Sequence, residues 1–263
     1  MNITDERVLV FDTETTGVDV RNDRVVEVGG AMFEGGVRTR LYNVRVNPGV
    51  PIPPGATAVH GISDADVSGA AGFLDVGRRF VGHLDGSAAD GIRPLLCGYN
   101  ALSFDVPLLN AELERHGLEH RIDPAQVLDP IVFMKWFHRD LKGRRLVESC
   151  EHYGVTLKNA HSAAGDSDAT GGLLFAMIAA GTFPADVEVA LREQAVFAAR
   201  LELEWSEFGR YLYRDRQDGR LRHGSGKHVG RLIEEVDRGY YKFMTEAVAE
   251  LPPAVRAVFD SRR

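Results

Sequence analysis

Apolar positions fall into short runs near the start of the chain and take helical spacing further on. Arg7-Val8-Leu9-Val10-Phe11 runs into the polar stretch Asp12-Thr13-Glu14-Thr15-Thr16-Gly17, the pattern of a buried strand that feeds a turn. Residues 25–33 and 39–46 read as strands, and Gly35-Gly36 between them predicts a hairpin turn. Residues 47–55 contain four prolines and are expected to leave the sheet as a loop. Asp64-Ala65-Asp66 supplies acidic start signals for a helix running towards Leu84. Residues 95–99 and 127–129 read as short buried strands. Between them Val106, Leu109, Leu113 and Leu118 recur at near-helical spacing, with Glu112, Glu114 and Arg115 on the other side. Helices are expected over 146–153 and 166–180. A meander of strands followed by alternating strands and helices predicts an α/β domain whose mixed sheet is flanked by helices.

The character of the chain changes towards its end. Residues 185–208 form a long alanine-rich stretch without proline or glycine, and residues 210–231 then carry seven Lys/Arg against two Asp. A closing helix is expected over 232–250. A boundary near Phe183-Pro184 therefore divides residues 1–184, the α/β domain, from residues 185–263, a helical linker with a small basic α/β appendage.

Composition narrows the class without deciding it. With 263 residues, 44% hydrophobic and 26% charged, the chain is long enough for one large domain or a domain with an appendage. The net charge of −7 argues against a protein that coats nucleic acid indiscriminately, but not against an enzyme that acts on it. No run of about 18 apolar residues is present, which predicts a chain without a membrane span. The first residues lack an apolar signal core, and Cys97 and Cys150 have neither disulfide-framework nor metal-ligand spacing. A reducing, cytoplasmic setting is the expectation.

The chemistry rests on carboxylates. Asp12 and Glu14 are two apart at a strand end, so period-two geometry turns both to one side, where they can grip a cation or merely form an acidic strand end. Asp105 follows a buried strand and opens a helix, which suits an N-cap as well as a ligand. Asp166 is equally placed as a first-turn helix acid, and His161 lies five residues before it in a polar loop of small residues.

Taken in order, Asp12-Thr13-Glu14-Thr15-Thr16-Gly17, Asn100 to Phe104-Asp105, and His161 to Asp166 resemble the three successive motifs of the DEDDh 3′–5′ exonucleases. That superfamily includes the polymerase III epsilon subunit, exodeoxyribonuclease X and ribonuclease T. His60-Gly61-Ile62-Ser63 resembles the short segment those proteins place between the first two motifs. The resemblance spans roughly residues 7–180 and implies a ribonuclease H-like fold and a two-metal mechanism using Mg²⁺ or Mn²⁺. Such ions prefer oxygen ligands, and two of them can stabilise the attacking and leaving oxygens of an in-line displacement. By resemblance Asp12 bridges both ions, Glu14 and Asp166 hold the one that carries the attacking water, and Asp105 assists the other through water. His161 is then the general base, a task that imidazole suits at neutral pH. Thr13, Thr15, Thr16, His60, Asn100 and Phe104 are expected to face the terminal nucleotide; for Phe104, stacking on a base and simple core packing remain equal readings, and His60 is similarly open. Asp129 and Asp168 are read as structural.

Lys135, His138, Arg139, Lys142, Arg144 and Arg145 form a basic cluster ahead of the His161 loop. It is either a guide for phosphates or a solvated helix face. Gly226-Lys227-His228-Val229-Gly230-Arg231, followed by Gly239-Tyr240-Tyr241, resembles the small C-terminal module of exodeoxyribonuclease X-like proteins. Its glycines let the backbone approach phosphates, so the module is read as a nucleic-acid grip, against a plain structural cap. The expected substrate is single-stranded DNA or DNA 3′ ends. RNA 3′ ends are the alternative within nucleases, and a proofreading subunit acting with a DNA polymerase or a repair partner is the alternative beyond them. If the turn grips phosphates, Lys227→Ala with Arg231→Ala weakens oligonucleotide binding and reduces the slope of log affinity against log salt by about 2; unchanged affinity and slope in a salt titration exclude the grip.

Overall fold

The apolar run after Arg7 becomes the centre of β1 (Arg7–Thr15), the strand on which the sheet is built. The computed structural model describes residues 1–86 and 90–263. It adds β2 (Val25–Glu34), β3 (Val37–Arg45), β4 (Leu95–Cys97) and β5 (Val127–Leu128). Among the described residues these form one mixed sheet in the order β3-β2-β1-β4-β5, with β1 to β3 antiparallel and β4 and β5 parallel to β1. The hairpin turns at Gly35-Gly36, where the sequence places it.

Alternation along β1 separates its two faces. Leu9 and Phe11 join Val28 and Met32 of β2 in an apolar cluster. That cluster includes Phe73, Val76 and Phe80 of α3 (Phe73–Leu84) and Val106, Leu109 and Leu113 of α4 (Asp105–Arg115). α1 (Pro54–His60) and α2 (Asp64–Val67) precede them. The proline-rich segment thus ends in a helix: Pro54 occupies its first position, where a missing N–H costs nothing. The helix expected from Asp64 to Leu84 is interrupted: a capping box on Ser63 and Asp66 starts a single turn, the Ser68-Gly69-Ala70-Ala71-Gly72 stretch, with two glycines, does not continue it, and a new helix begins at Phe73.

On the opposite face the register sets Asp12 against Gly29 and Glu14 against Glu27. α7 (Ala163–Ala179) docks there. A Cβ on Gly29 would lie 2.0 Å from the Ala163 carbonyl carbon and 2.3 Å from the Ala164 nitrogen, so only glycine lets the first turn of this helix rest on the strand. The chain also forms α5 (Pro130–Phe137) and α6 (Leu146–His152).

The chain separates into two compact units, residues 1–131 with 145–194, and residues 132–144 with 195–263. The division falls inside α8 (Val187–Phe208), beyond Phe183-Pro184, and the second unit claims 132–144 through long-range contacts within itself. Trp136 stacks on Phe197 at 4.1 Å and 7°, Phe133 meets Phe197 edge-on at 5.4 Å, and Arg139 pairs with Glu204 at 2.8 Å. The second unit also contains β6 (Leu212–Arg214), β7 (Leu221–His223), α9 (Arg238–Ala247) and α10 (Pro253–Asp260) around Phe208, Tyr241, Val255 and Phe259. The single helix expected over 232–250 is instead a short 3₁₀ turn followed by α9, whose start is capped by the Asp237 carboxylate on the Gly239 N–H at 2.7 Å. No helix among the described residues is long and apolar enough to cross a membrane.

Gly29→Ala is expected to lift α7 off the sheet and to destabilise the protein by about 1–3 kcal/mol. Thermal unfolding would register this as a Tm several degrees lower, at roughly 2–4 °C per kcal/mol; an unchanged Tm would mean that the helix start yields without cost.

Candidate active site

At the end of β1 the side chains of Asp12 and Glu14 are half-buried, while Thr13 and Thr15 turn into the protein. The first turn of α7 adds Asp166. One carboxylate oxygen from each of Asp12, Glu14 and Asp166 lies within 4.8 Å of the others, the one such acidic or imidazole group found among the described residues. Asp105, the first residue of α4, is buried beside them but outside that trio. Its Oδ1 accepts the Thr13 N–H at 3.0 Å and the Thr13 hydroxyl at 2.6 Å, which ties α4 to the middle of the Asp-Thr-Glu motif.

These carboxylates disfavour one another's charge. Burial, then Asp105, Asp166, Glu14 and Glu27, hold Asp12 well above the usual carboxylate range. Burial pushes Glu14 up to about 8, with Asp166 and Glu27 adding to it. Asp105 is raised to about 7 by burial in spite of the two Thr13 hydrogen bonds, and Asp166 is raised by burial while the His161 charge draws it back. The Oδ1 atom of Asp166 is buried and has no hydrogen-bond partner. A convergent all-oxygen donor set with an unsatisfied buried oxygen fits a hard divalent cation such as Mg²⁺ or Mn²⁺.

His161 is exposed in the loop ahead of α7, with φ of 63°, near enough to Asp166 to oppose the effect of burial on that carboxylate. This loop folds back on the helix at Gly165, where a Cβ would lie 2.5 Å and 2.6 Å from the carbonyl oxygens of Lys158 and Asn159. The imidazole therefore stands beside Asp166 and outside the carboxylate trio.

The other expected site residues take distinct places. His60 accepts the Ile62 N–H on Nδ1 at 3.0 Å, so its Nε2–H donates to the Thr15 carbonyl at 3.1 Å; both ring nitrogens are engaged in holding the end of β1. Burial lowers its pKa, in keeping with a neutral ring. Thr15 donates its hydroxyl to the Gly17 carbonyl, and Thr16 donates its own to Asp23. Asn100, with φ of 63°, and Leu102 donate their N–H groups to the two oxygens of Asp129 at 2.8 and 3.1 Å, so Asp129 shapes the turn that delivers Phe104 and Asp105. Phe104 is half-buried at the start of α4. Asp168 pairs with Arg38 at 2.8 Å. Arg144 donates to the carbonyls of His138, Arg139 and Leu141, and Arg145 pairs with Glu148 across the start of α6. Lys227 is exposed, with its ammonium 5.6 Å from the Tyr240 ring centre, and Arg231 donates to the Glu235 carbonyl at 2.7 Å.

Two residues that organise the site escape the motif reading, Glu27 and Gly29. A lone acid inside the apolar run of β2 is the available signal for Glu27, since a charge is buried only where something pairs with it.

A carboxylate cluster at the end of the central strand of a mixed sheet, completed by an acid from a docked helix, defines a nuclease-class domain. The family model described as Exonuclease matches residues 9–174, well over half of the chain, and the chain belongs to that family, the DEDD-type 3′–5′ exonucleases. The PolC-type DNA polymerase III of Lacticaseibacillus paracasei is 31% identical over 169 residues, 64% of this chain and 11% of that protein. Its counterpart from Streptococcus pneumoniae serotype 2 is 28% identical over 272 residues, covering 100% of this chain and 16% of its own length. The chain thus spans a small part of the curated relatives it matches. E. coli exonuclease I in complex with a dA16 oligonucleotide shares the fold with a TM-score of 0.57 at 17% identity, over 66% of this chain and 41% of that one. A further exonuclease I structure gives 0.60 at 14% identity, over 94% and 61%. The fold is ribonuclease H-like.

Because the folded-state pKa values of these carboxylates are raised, the folded protein binds protons that the unfolded chain has released, and metal-free stability falls as pH rises. The window runs from the ordinary carboxylate range near 4 to the value of about 8 at Glu14. Scanning calorimetry in EDTA should show Tm decreasing between about pH 5 and pH 8, and Mg²⁺ or Mn²⁺ should raise Tm more at the upper end, where protons no longer compete. A Tm indifferent to both pH and metal would contradict the site.

Proposed function

We propose that this chain is a metal-dependent 3′–5′ exonuclease that shortens DNA, preferentially single-stranded or frayed 3′ ends, and releases nucleoside 5′-monophosphates. The observation that carries the reading is the convergence of Asp12, Glu14 and Asp166 oxygens within 4.8 Å, in a chain that belongs to the exonuclease family. Two ions held by Asp12, Glu14 and Asp166, with Asp105 assisting through water, would neutralise charge developing on the scissile phosphate and lower the pKa of the attacking water.

The protein's own residues then divide the work. Asp105, locked by Thr13, keeps the strand end and α4 in register with one another. His161, exposed next to Asp166, takes the proton from the attacking water on its imidazole. The water oxygen bonds to the terminal phosphorus, the bond from phosphorus to the 3′ oxygen of the penultimate nucleotide breaks, and that oxygen takes up a proton from solvent as it leaves. Phe104, half-buried where α4 begins, offers an aromatic face to the terminal base. Lys227 and Arg231 supply positive charge for the backbone in the second unit.

DNA is favoured over RNA because the exonuclease I structure with a like fold holds a DNA oligonucleotide and the PolC-type relatives are DNA polymerases. A second reading follows from the match of this whole chain to 16% of a PolC-type polymerase: the same activity serving as a proofreading function alongside a polymerase. Both cysteines are free and buried, which suits a cytoplasmic setting.

Matched 3′- and 5′-labelled DNA and RNA oligonucleotides test the proposal. With Mg²⁺ or Mn²⁺, DNA should shorten stepwise from its 3′ end, with no reaction in EDTA or with Asp12→Ala. His161→Ala should keep metal-induced stabilisation and lose about 10²–10⁴-fold in turnover. Faster trimming of RNA would move the chain to the ribonucleases, and full activity of His161→Ala would remove the imidazole from the reaction.

A further inference from the structure

Resting on the metal-site reading above, we infer that Glu27 is the positioning residue that caps α7 from outside the helix and thereby sets Asp166 against Asp12 and Glu14. The first N–H groups of a helix need acceptors from somewhere. Ser162, at the N-cap position of α7, makes no side-chain capping hydrogen bond. The acceptor comes from β2 instead: Glu27 Oε2 takes the Ala163 N–H at 2.9 Å, across 136 residues of sequence. Its carboxylate is 1% exposed, and its other oxygen is held from the far side by Arg45 Nε at 3.0 Å and Asn43 Nδ2 at 3.0 Å.

The placement follows from the sheet. Glu27 is the cross-strand partner of Glu14, and Gly29 the partner of Asp12, so all four positions share one face. Gly29 admits the backbone of Ala163 and Ala164, and Glu27 binds the N–H at the same helix end. Asp166 is one turn on from Ala163, and its N–H is already bonded to the Ser162 carbonyl. A shift of the Ala163 amide therefore carries Asp166 with it. Arg45 and Asn43, both on β3, keep the Glu27 carboxylate from swinging away, so two strands combine to fix one helix start. Outer residues that orient ligands in this way change metal affinity about 10–100-fold when replaced.

Reach and charge are separable at this position. Glu27→Gln keeps the length and an acceptor for Ala163 but removes the charge. Glu27→Asp keeps the charge but withdraws the carboxylate by one C–C bond, ~1.5 Å, beyond hydrogen-bond range of the amide. Two measurements on the full chain decide. Hydrogen exchange at the Ala163 amide of the metal-free protein reports the cap, with amides in the middle of α7 as a control for folding. Mn²⁺ titration reports the ligand geometry. Capping predicts that both the amide protection and the Mn²⁺ affinity fall in the order wild type, Gln, Asp, with about tenfold loss for Gln and more for Asp. It also predicts that kcat falls with affinity while KM for the oligonucleotide stays near its wild-type value. An Asp variant that equals or exceeds the Gln variant in both measurements overturns the inference, because charge would then matter and reach would not. A wild-type chain that protects the Ala163 amide yet binds no Mn²⁺ overturns the metal reading and leaves the cap supported.

Discussion

The pairing register of β1 and β2 is the constraint on which the rest of the site depends. It sets Asp12 against Gly29 and Glu14 against Glu27, so one patch of one sheet face holds two carboxylates and the seat of a helix. A slip of β1 by one residue would turn Asp12 and Glu14 to the opposite face, into the apolar cluster formed with α3 and α4. That cluster therefore guards the register: Leu9, Phe11, Val28 and Met32 are buried in it, and their exposure would cost on the order of 1.5–3 kcal/mol for each large side chain. Core packing on one face thus enforces chemical alignment on the other.

The site gathers like charges in a partly buried place, which on stability grounds alone is a poor arrangement. Asp12, Glu14, Asp105 and Asp166 all have raised pKa values, with burial the leading cause in each. The surroundings hold them there with unusually specific contacts. Thr13 binds Asp105 with both its amide and its hydroxyl, His60 and Thr16 secure the end of β1 and the loop after it, and Asp129 shapes the turn before α4. Stability is sacrificed locally in return for a pocket that a divalent cation completes.

The second unit contrasts with this. Several of its arginines are paired, Arg139 and Arg216 with Glu204, and Arg222 with Asp215 and Asp218. Arg216 also lies 3.4 Å from the centre of the Trp136 ring. Part of the positive excess in residues 210–231 is thus spent on internal structure, while Lys227 on the glycine-bounded turn and Arg231 beside it are exposed.

The sequence by itself determined the strand that carries Asp12 and Glu14, the hairpin after it and the mixed α/β layering, and it marked Asp12, Glu14 and Asp166, whose oxygens converge. Those features are local: alternation fixes which way neighbouring side chains point, and turn and capping chemistry depends on a few adjacent residues. The breaks near Ser68 and Asp237 are local as well, yet they turn on a glycine-containing stretch and a single cap that periodicity does not register. Tertiary structure alone decided that Glu27 caps a helix 136 residues away, that Gly29 seats it, that both nitrogens of His60 are engaged within the protein, and that residues 132–144 belong with the C-terminal unit. Each of these depends on which segments meet in space. The spacing of charges and glycines along a chain carries no record of the partner that a fold brings to them.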